Sequence, residues 1–357
     1  MNRLARSQTT PPAAGSAQVA AVIAGRRARH RRHATATIVL GALLLGLFTV
    51  ALMIGNTFYS IDEVVRVLLG QTVPGASFTV GELRLPRAVL AILTGLAFGM
   101  AGVTFQTLLR NPLASPDIIG LSNGAGAAAV VGIVVLSLNG PVVSLFALGG
   151  ALVTAAVIYL LSIKNGFAGT RLILIGIGIA AMLQSVTSYI LSRAASWDIQ
   201  TAMQWLTGSL NNASWERVAP LAIAAAVIVP LMLSQGRALG AMQLGDDSAS
   251  GLGVRVTATR LLFILGAVAL LAFATAATGP IAFVAFMAGP VAARITGPGA
   301  NLLVPSAFVG AVLVLASDLI GQFALGARYP VGVITGVLGA PYLIYLLIRT
   351  NRSGGSL

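Results

Sequence analysis

The ionisable side chains of this 357-residue sequence are few, and several lie at the ends of long apolar runs. Arg84 and Arg87 come just before one such run, while Asp117 and Asp318 lie inside two others, each near an end. An ionisable side chain in an apolar span indicates a functional contact or a charge pair, because burying it alone in hydrocarbon is costly. For Asp318 we expect either pairing with a cation such as Arg328, or a contact with substrate or a partner protein.

Several kinds of chemistry are excluded by what the sequence lacks. There is no cysteine, and both histidines, His30 and His33, lie in a basic N-terminal segment. No pair of carboxylates falls within an apolar run, so an integral-membrane enzyme would lack its acid–base pair or metal ligands. The GxxxxGK[ST] pattern that cradles nucleotide phosphates is also missing. We therefore predict no catalytic residue, no metal site, no cofactor bound by this chain and no ATP hydrolysis by it.

The composition is that of a membrane protein. Hydrophobic residues make up 57% of the chain and charged residues 9%, whereas a soluble domain has about 25% charged residues. The formal net charge of +13 arises because the chain has only nine acidic residues, so it does not indicate a nucleic-acid partner. We predict an all-α, polytopic protein that contacts membrane lipids.

Ten apolar runs are long enough, or nearly so, to cross about 30 Å of hydrocarbon as helices. If the N-terminus is inside, sixteen Lys and Arg residues fall on inner segments and six on outer ones, which favours cytoplasmic placement of both termini. We expect residues 1–36 to form a disordered basic cytoplasmic tail, residues 37–350 the membrane domain and residues 351–357 a C-terminal tail. The ten runs lie near residues 38–56, 87–109, 117–137, 141–162, 171–193, 216–234, 258–277, 280–294, 303–324 and 331–349.

Short motifs occur in order along these runs, namely Arg84-Leu85-Pro86-Arg87, Gly102 with Gln106, Asn111-Pro112-Leu113-Ala114, and Gly120 with Gly124-Ala125. In this order they resemble the permease subunits of binding-protein-dependent ABC importers for iron(III) siderophores and cobalamin. The resemblance covers roughly residues 38–349. Residues 279–285, 294–298 and 329–336 look most similar to permeases of the ferric-enterobactin type.

The resemblance implies that arginines at the outer mouth dock onto glutamates of an extracytoplasmic binding protein. Arg84 and Arg87 match two of these positions, with anchoring of the span at the membrane interface as the alternative. The third family arginine is expected four residues after Asp318, where this chain has Gln322, so we assign its role to Arg328. The chain also has Val291 where the family commonly has a histidine.

The polar segment 243–253 lies between two apolar runs on the inner side. By the resemblance it forms the coupling helices that dock in a groove of the ATP-binding subunit, and an ordinary polar loop is the alternative. The residues that match the coupling pattern are Gly245, Asp246, Asp247, Ala249, Leu252 and Gly253.

Polar and small residues in the fifth and tenth runs indicate a wet surface, because they are poorly suited to lipid on all sides. By the resemblance these two helices enclose the translocation path, and Gly169 and Thr170 belong to the cytoplasmic gate. For each glycine, close helix packing is an equally good explanation. The predicted path residues are Gly176, Gln184, Ser188, Thr335 and Gly336.

Together these features predict the membrane subunit of an ATP-driven importer in the cytoplasmic membrane of a bacterium. Its cargo is expected to be an iron(III)–siderophore complex like ferric enterobactin, with cobalamin or haem as alternatives. The implied partners are ATP-binding subunits, which hold ATP and Mg, an extracytoplasmic binding lipoprotein, and a second permease. The departures at Val291 and Gln322 favour a different chain over a second copy as that permease. An ion-coupled secondary transporter is the competing class, although such proteins usually place acids near the bilayer centre.

Overall fold

The computed structural model describes residues 13–116, 120–162, 169–297 and 301–353, and within these ranges it consists of helices joined by short connections. The predicted all-α class is therefore confirmed. The helices are α1 (Ala13–Met53), α2 (Ile61–Leu68), α3 (Ala76–Leu108), α4 (Leu121–Val135), α5 (Pro141–Ser162), α6 (Gly169–Ser192), α7 (Ser196–Leu206), α8 (Trp215–Ser234), α9 (Gly236–Met242), α10 (Asp246–Gly251), α11 (Val256–Thr278), α12 (Val284–Thr296), α13 (Leu303–Phe323) and α14 (Val331–Ser353).

Eight of these helices are long and apolar enough to cross a membrane, namely α1, α3, α5, α6, α8, α11, α13 and α14. The remaining two predicted spans correspond to the shorter apolar helices α4 and α12. Both start later than predicted because the chain before them takes a left-handed turn, at Gly120 with φ +90° and at Phe283 with φ +63°. Asp117, predicted to open the third span, lies outside the described residues. The polytopic membrane architecture is confirmed.

Helix α3 is the centre of the bundle. It packs on α8, α11, α12 and α13, and 78% of the residues in its most apolar stretch are buried. A side chain at Gly95 or Gly99 would collide with the backbone of α13, and one at Gly102 would collide with the carbonyl of Ala285 at the start of α12. Close backbone approach of this kind is how small residues hold membrane helices together. Gly95 and Gly99 therefore face other helices.

The N-terminal segment differs from the expectation of disorder. Helix α1 begins at Ala13 and continues without a break into the first span, so residues 13–36 are helical in the structure. Alanine and arginine are strong helix formers, and a segment that extends an existing helix needs no new nucleus. Arg32 also donates hydrogen bonds of 3.2 Å to the carbonyls of Arg294 and Ile295 at the end of α12. These contacts hold the basic segment against the bundle.

Candidate functional site

All three arginines predicted to dock a binding protein line one open pocket, called here the outer pocket, at the end of the bundle that the predicted topology places outside. The pocket has a volume of about 430 Å³ and is formed by the end of α1, the start of α3, the end of α13 and the loops beside them. Asp318 and Gln322 line it as well. Residues that are distant in sequence therefore meet at one place.

Arg84 donates its hydrogen bonds to backbone carbonyls of this chain. Its Nη1 donates hydrogen bonds of 2.8 Å to the carbonyls of both Leu52 and Met53, and its Nη2 donates to the carbonyl of Thr57. The guanidinium also lies 5.0 Å from the ring centre of Tyr59. The last carbonyls of a helix have no partner within the helix, so a cation there stabilises its end. Arg84 thus fastens the C-terminus of α1 to α3, and its docking role stays a prediction.

Arg87 and Asp318 form a two-pronged ion pair between α3 and α13. The Arg87 Nε and Nη2 donate hydrogen bonds of 2.9 Å and 2.8 Å to the two carboxylate oxygens. Gln322 donates a further bond of 2.7 Å to Asp318, and Arg87 donates one of 3.1 Å to Asn211. The Asp318 side chain is only 5% exposed and that of Arg87 20%. The expected pairing of Asp318 with a cation is found, but the cation is Arg87 and not Arg328, because α3 and α13 pack side by side.

Arg328 is the most accessible of the three arginines. It is exposed, and its guanidinium donates one hydrogen bond of 3.2 Å, to the side chain of Asn56. Within the described part of the chain it forms no ion pair. Its charge is therefore the one in this pocket that is best placed to meet an acidic partner.

The predicted coupling segment forms a short helix, α10, at the other end of the bundle, and ion pairs hold this helix in place. Asp246, at the start of α10, forms ion pairs of 3.1 Å with Arg110 and 2.6 Å with Arg260. Gly245 and Gly253 flank the helix with φ angles of +111° and +82°, which glycine adopts without strain. Ala249, within α10, is fully buried. These contacts tie α10 to the end of α3 and to α11.

The outer surface of this segment offers apolar side chains to solvent. Leu244 and Leu252 are 67% and 66% exposed, and Asp247 is exposed between them. Single exposed apolar side chains are common on protein surfaces, so the coupling contact stays a prediction and the ordinary polar loop stays its alternative.

The predicted path residues separate into two groups. Gly169 and Gly336 are half-buried, and Thr170, Gln184 and Ser188 are exposed on the surface of the single chain. Gly176 and Thr335 are buried, so they do not line an exposed surface. Gly176 packs against Gly120, and the Thr335 hydroxyl donates a bond of 3.1 Å to the carbonyl of Gly332. For these two residues the structure supports helix packing.

Comparison with known proteins decides the family. The profile of the FecCD transport family matches residues 42–349, which is most of the chain. The chain belongs to the FecCD transport family. The resemblance inferred from the motifs at Arg84–Arg87, Gln106 and Asn111–Ala114 is thereby confirmed.

Two curated FecCD-type relatives match over nearly their whole length. The ferric enterobactin transport system permease protein FepG of Escherichia coli (strain K12) is 39% identical over 295 residues, which cover 82% of this chain and 88% of the relative. The Fe(3+)-citrate import system permease protein YfmE of Bacillus subtilis (strain 168) is 35% identical over 322 residues, covering 89% and 96%.

A solved structure described as a metal-chelate type ABC transporter in an inward-facing conformation has the same fold. It superposes on this FecCD chain with a TM-score of 0.79 at 24% identity, and covers 88% of this chain and 98% of the other. At this identity the likeness concerns the fold alone.

Sequence reasoning missed the partners of the charged residues in this FecCD chain. Arg110 and Arg260 were counted among the basic residues of the inner segments but were given no contact, and no role was predicted for Asn211. Asp246 could have prompted a search for a basic partner. Several arginines lie on the predicted inner segments, however, and their spacing in the sequence does not show which of them is close to Asp246.

Gln106 was placed inside the second apolar run without a role, and the structure supplies one. Its Nε2 donates a bond of 3.0 Å to the carbonyl of Phe286. That carbonyl would normally accept from the N–H four residues on, but that residue is Pro290, which has none. A side chain at Gly289 would collide with the Gln106 amide, so the glycine makes room for it. The buried glutamine thereby completes the hydrogen bonding of α12 from α3.

Proposed function

We propose that this chain is the membrane-spanning subunit of an ATP-driven importer in the cytoplasmic membrane of a bacterium, with both termini inside. Its cargo is an iron(III)–siderophore complex like ferric enterobactin, delivered by an extracytoplasmic binding protein. The two relatives, permeases for ferric enterobactin and ferric citrate, support this assignment. In this proposal the chain hydrolyses no ATP, and partner subunits hold ATP and Mg.

The observation that carries the proposal is the course of α3. This helix has 33 residues, which gives a length of about 50 Å at 1.5 Å per residue. About a third of the way along this helix Arg87 binds Asp318 in the outer pocket, and just past its inner end Arg110 binds Asp246 in the coupling segment. One buried rod thus joins the surface proposed for the binding protein to that proposed for the ATP-binding subunit.

At the outer end, Arg328 makes the first contact with an acidic side chain of the binding protein. It is exposed and forms no ion pair in the described residues, whereas Arg87 is already paired and Arg84 is engaged by backbone carbonyls. Arg87 takes part only if the incoming acid competes with Asp318. Arg84 shapes the pocket through α1.

At the inner end, residues 243–253 insert into a groove of the ATP-binding subunit. The exposed Leu244 and Leu252 supply apolar contact area, and the Asp246 ion pairs keep α10 rigid. A rigid element is needed because the motion of one subunit has to reach the other without being absorbed by a loop.

The cargo passes between this chain and a second permease. The exposed face of α6, which carries Thr170, Gln184 and Ser188, contributes one wall. Val291 and Gln322 stand where the resemblance leads us to expect a histidine and an arginine, so the second permease is a different chain that supplies these groups. Purification of an active transporter containing this chain only as a pair with itself would exclude that arrangement.

Charge reversal tests the docking surface. Arg328→Glu is expected to abolish capture of the binding protein and uptake of ferric enterobactin by the assembled transporter, because an attraction becomes a repulsion. Arg66→Glu is the matched control, since Arg66 is an exposed outer arginine whose ion pair with Asp62 lies outside the pocket. Unchanged capture in the Arg328 variant would remove Arg328 from the docking surface.

Competition tests the cargo. Ferric enterobactin, cobalamin and haem are supplied together to proteoliposomes that contain the full transporter and its binding protein. Selective uptake of the iron chelate is expected. Preferential uptake of cobalamin or haem would keep the importer class and overturn the cargo.

A further inference from the structure

A second pocket at the outer end is not part of the docking surface, although it shares Asn211 with it. It has a volume of about 150 Å³ and lies among the α4–α5 loop, α7, the loop that follows α7 and the start of α8. Its lining is rich in amides and hydroxyls and includes one charged side chain, Arg217. The polar residues of this lining are Asn139, Thr201, Gln204, Ser209, Asn211, Asn212 and Thr278.

The charge of Arg217 has no partner in the described structure. Its side chain is half-buried, and its guanidinium makes no hydrogen bond, ion pair or ring contact with the residues that the structure describes. Glu216, its neighbour in sequence, is exposed and forms no ion pair either within those residues. A positive and a negative charge therefore stand side by side, each available to a ligand.

An apolar groove begins where these two charges stand. It has a volume of about 180 Å³ and lies between the spans α5, α8 and α11. Leu145, Leu148 and Phe273 line it, and Glu216 and Arg217 belong to its lining as well. Arg217 thus lies between a polar pocket and an apolar groove, in the order in which a lipid presents its headgroup and its acyl chain.

We propose that this paired site binds one zwitterionic aminophospholipid from the leaflet on the side of the outer pocket. The phosphate accepts hydrogen bonds from Arg217 and the neighbouring amides, because arginine matches phosphate oxygens with two parallel donors. The ammonium lies against Glu216, and the acyl chain fills the groove. The groove is formed by membrane-spanning helices other than α6 and α14, so the site is separate from the proposed cargo path.

The proposal commits to phosphatidylethanolamine because of the two charges. A headgroup without a cationic group, such as that of phosphatidylglycerol, would leave the Glu216 carboxylate without a counter-charge. A choline headgroup carries no N–H with which to donate a hydrogen bond to the carboxylate. Phosphatidylethanolamine has both a phosphate for Arg217 and an N–H donor for Glu216.

The test is native mass spectrometry of the full transporter, taken from nanodiscs with equal parts of phosphatidylethanolamine, phosphatidylcholine and phosphatidylglycerol. The wild type is expected to retain phosphatidylethanolamine preferentially. Arg217→Ala is expected to lower its occupancy about tenfold or more, because a charged hydrogen-bonded contact is lost. Glu216→Gln is expected to remove the preference over phosphatidylcholine. Arg66→Ala, outside both pockets, is the control and leaves occupancy unchanged.

If Arg217→Ala does not assemble, a variant that fills the groove tests lipid binding independently. Ser144→Phe places a ring in the groove and leaves both charges in place, and it is expected to reduce retention of the lipid. Unaltered retention in both variants, or preferential retention of phosphatidylglycerol by the wild type, would overturn the proposal. Cross-linking of Leu148→Cys to the second permease would overturn it too, because the groove would then be covered by protein.

Discussion

The ion pair between α3 and α13 offers the sharpest perturbation of the outer pocket. In Asp318→Asn the shape is kept but the charge is removed, so the Arg87 guanidinium loses its counter-charge in a largely buried place. One of the two bonds from Arg87, at 2.9 Å and 2.8 Å, then faces an amide N–H in place of an oxygen. If the amide nitrogen takes the place of Oδ2, the Gln322 amide must turn as well, because it donates to that oxygen in the wild type.

The magnitude follows from the exposure of the two side chains. Breaking a buried ion pair by removing one partner costs about 3–5 kcal/mol. Arg87 is 20% exposed and keeps its bond to Asn211, so water and the amide recover part of the loss and we expect about 2–3 kcal/mol. The exposed pair of Arg66 and Asp62, with side chains 55% and 67% exposed, should be worth less than about 1 kcal/mol.

The assay is thermal unfolding of the assembled transporter in one detergent, with Asp62→Asn as the matched control. Asp318→Asn is expected to lower the midpoint by several degrees more than the control. The double variant Arg87→Met with Asp318→Asn is expected to recover part of the loss, because the stranded charge is gone. Equal shifts for Asp318→Asn and Asp62→Asn, or strictly additive effects in the double variant, would refute the reasoning.

Two further predictions concern the inner half of the bundle. Gln106→Leu leaves the Phe286 carbonyl without a donor and is expected to destabilise the chain by about 1–3 kcal/mol. Adding Pro290→Ala restores a backbone N–H that can donate to this carbonyl, so the double variant should regain stability. A double variant less stable than Gln106→Leu would contradict this explanation. Leu252→Asp is expected to reduce retention of the ATP-binding subunit during purification without lowering the unfolding midpoint, whereas full retention would argue against the coupling contact.

The helices of the bundle could largely be predicted from apolar runs and the residues that flank them. The run at 141–162 coincides with α5, in which Pro141 takes the first helical position. The run at 216–234 differs from α8 by one residue. The start of α12 was predicted four residues too early. Phe283 adopts a left-handed conformation at this point, which the sequence does not predict because positive φ is uncommon for residues other than glycine. Residues 1–36 were predicted disordered because they show no periodic apolar pattern, but alanine and arginine both favour a helix, and residues 13–36 form one.

The site was predictable as a set of residues but not as a set of contacts. The three arginines, Asp318 and Gln322 do line one pocket. Arg87 and Asp318, however, are 231 positions apart, and their pairing depends on how α3 packs against α13. The acceptors of Arg84 are backbone carbonyls, which no side-chain pattern marks. Sequence therefore indicates where charge collects, and packing decides which groups meet.

The most direct measurement of the central claim is uptake of radiolabelled iron–enterobactin by proteoliposomes holding the transporter, with the binding protein outside. Uptake is expected only when ATP is enclosed on the cytoplasmic side, and none when a proton or sodium gradient is imposed without ATP. Accumulation driven by an ion gradient in vesicles that contain this chain alone would contradict it.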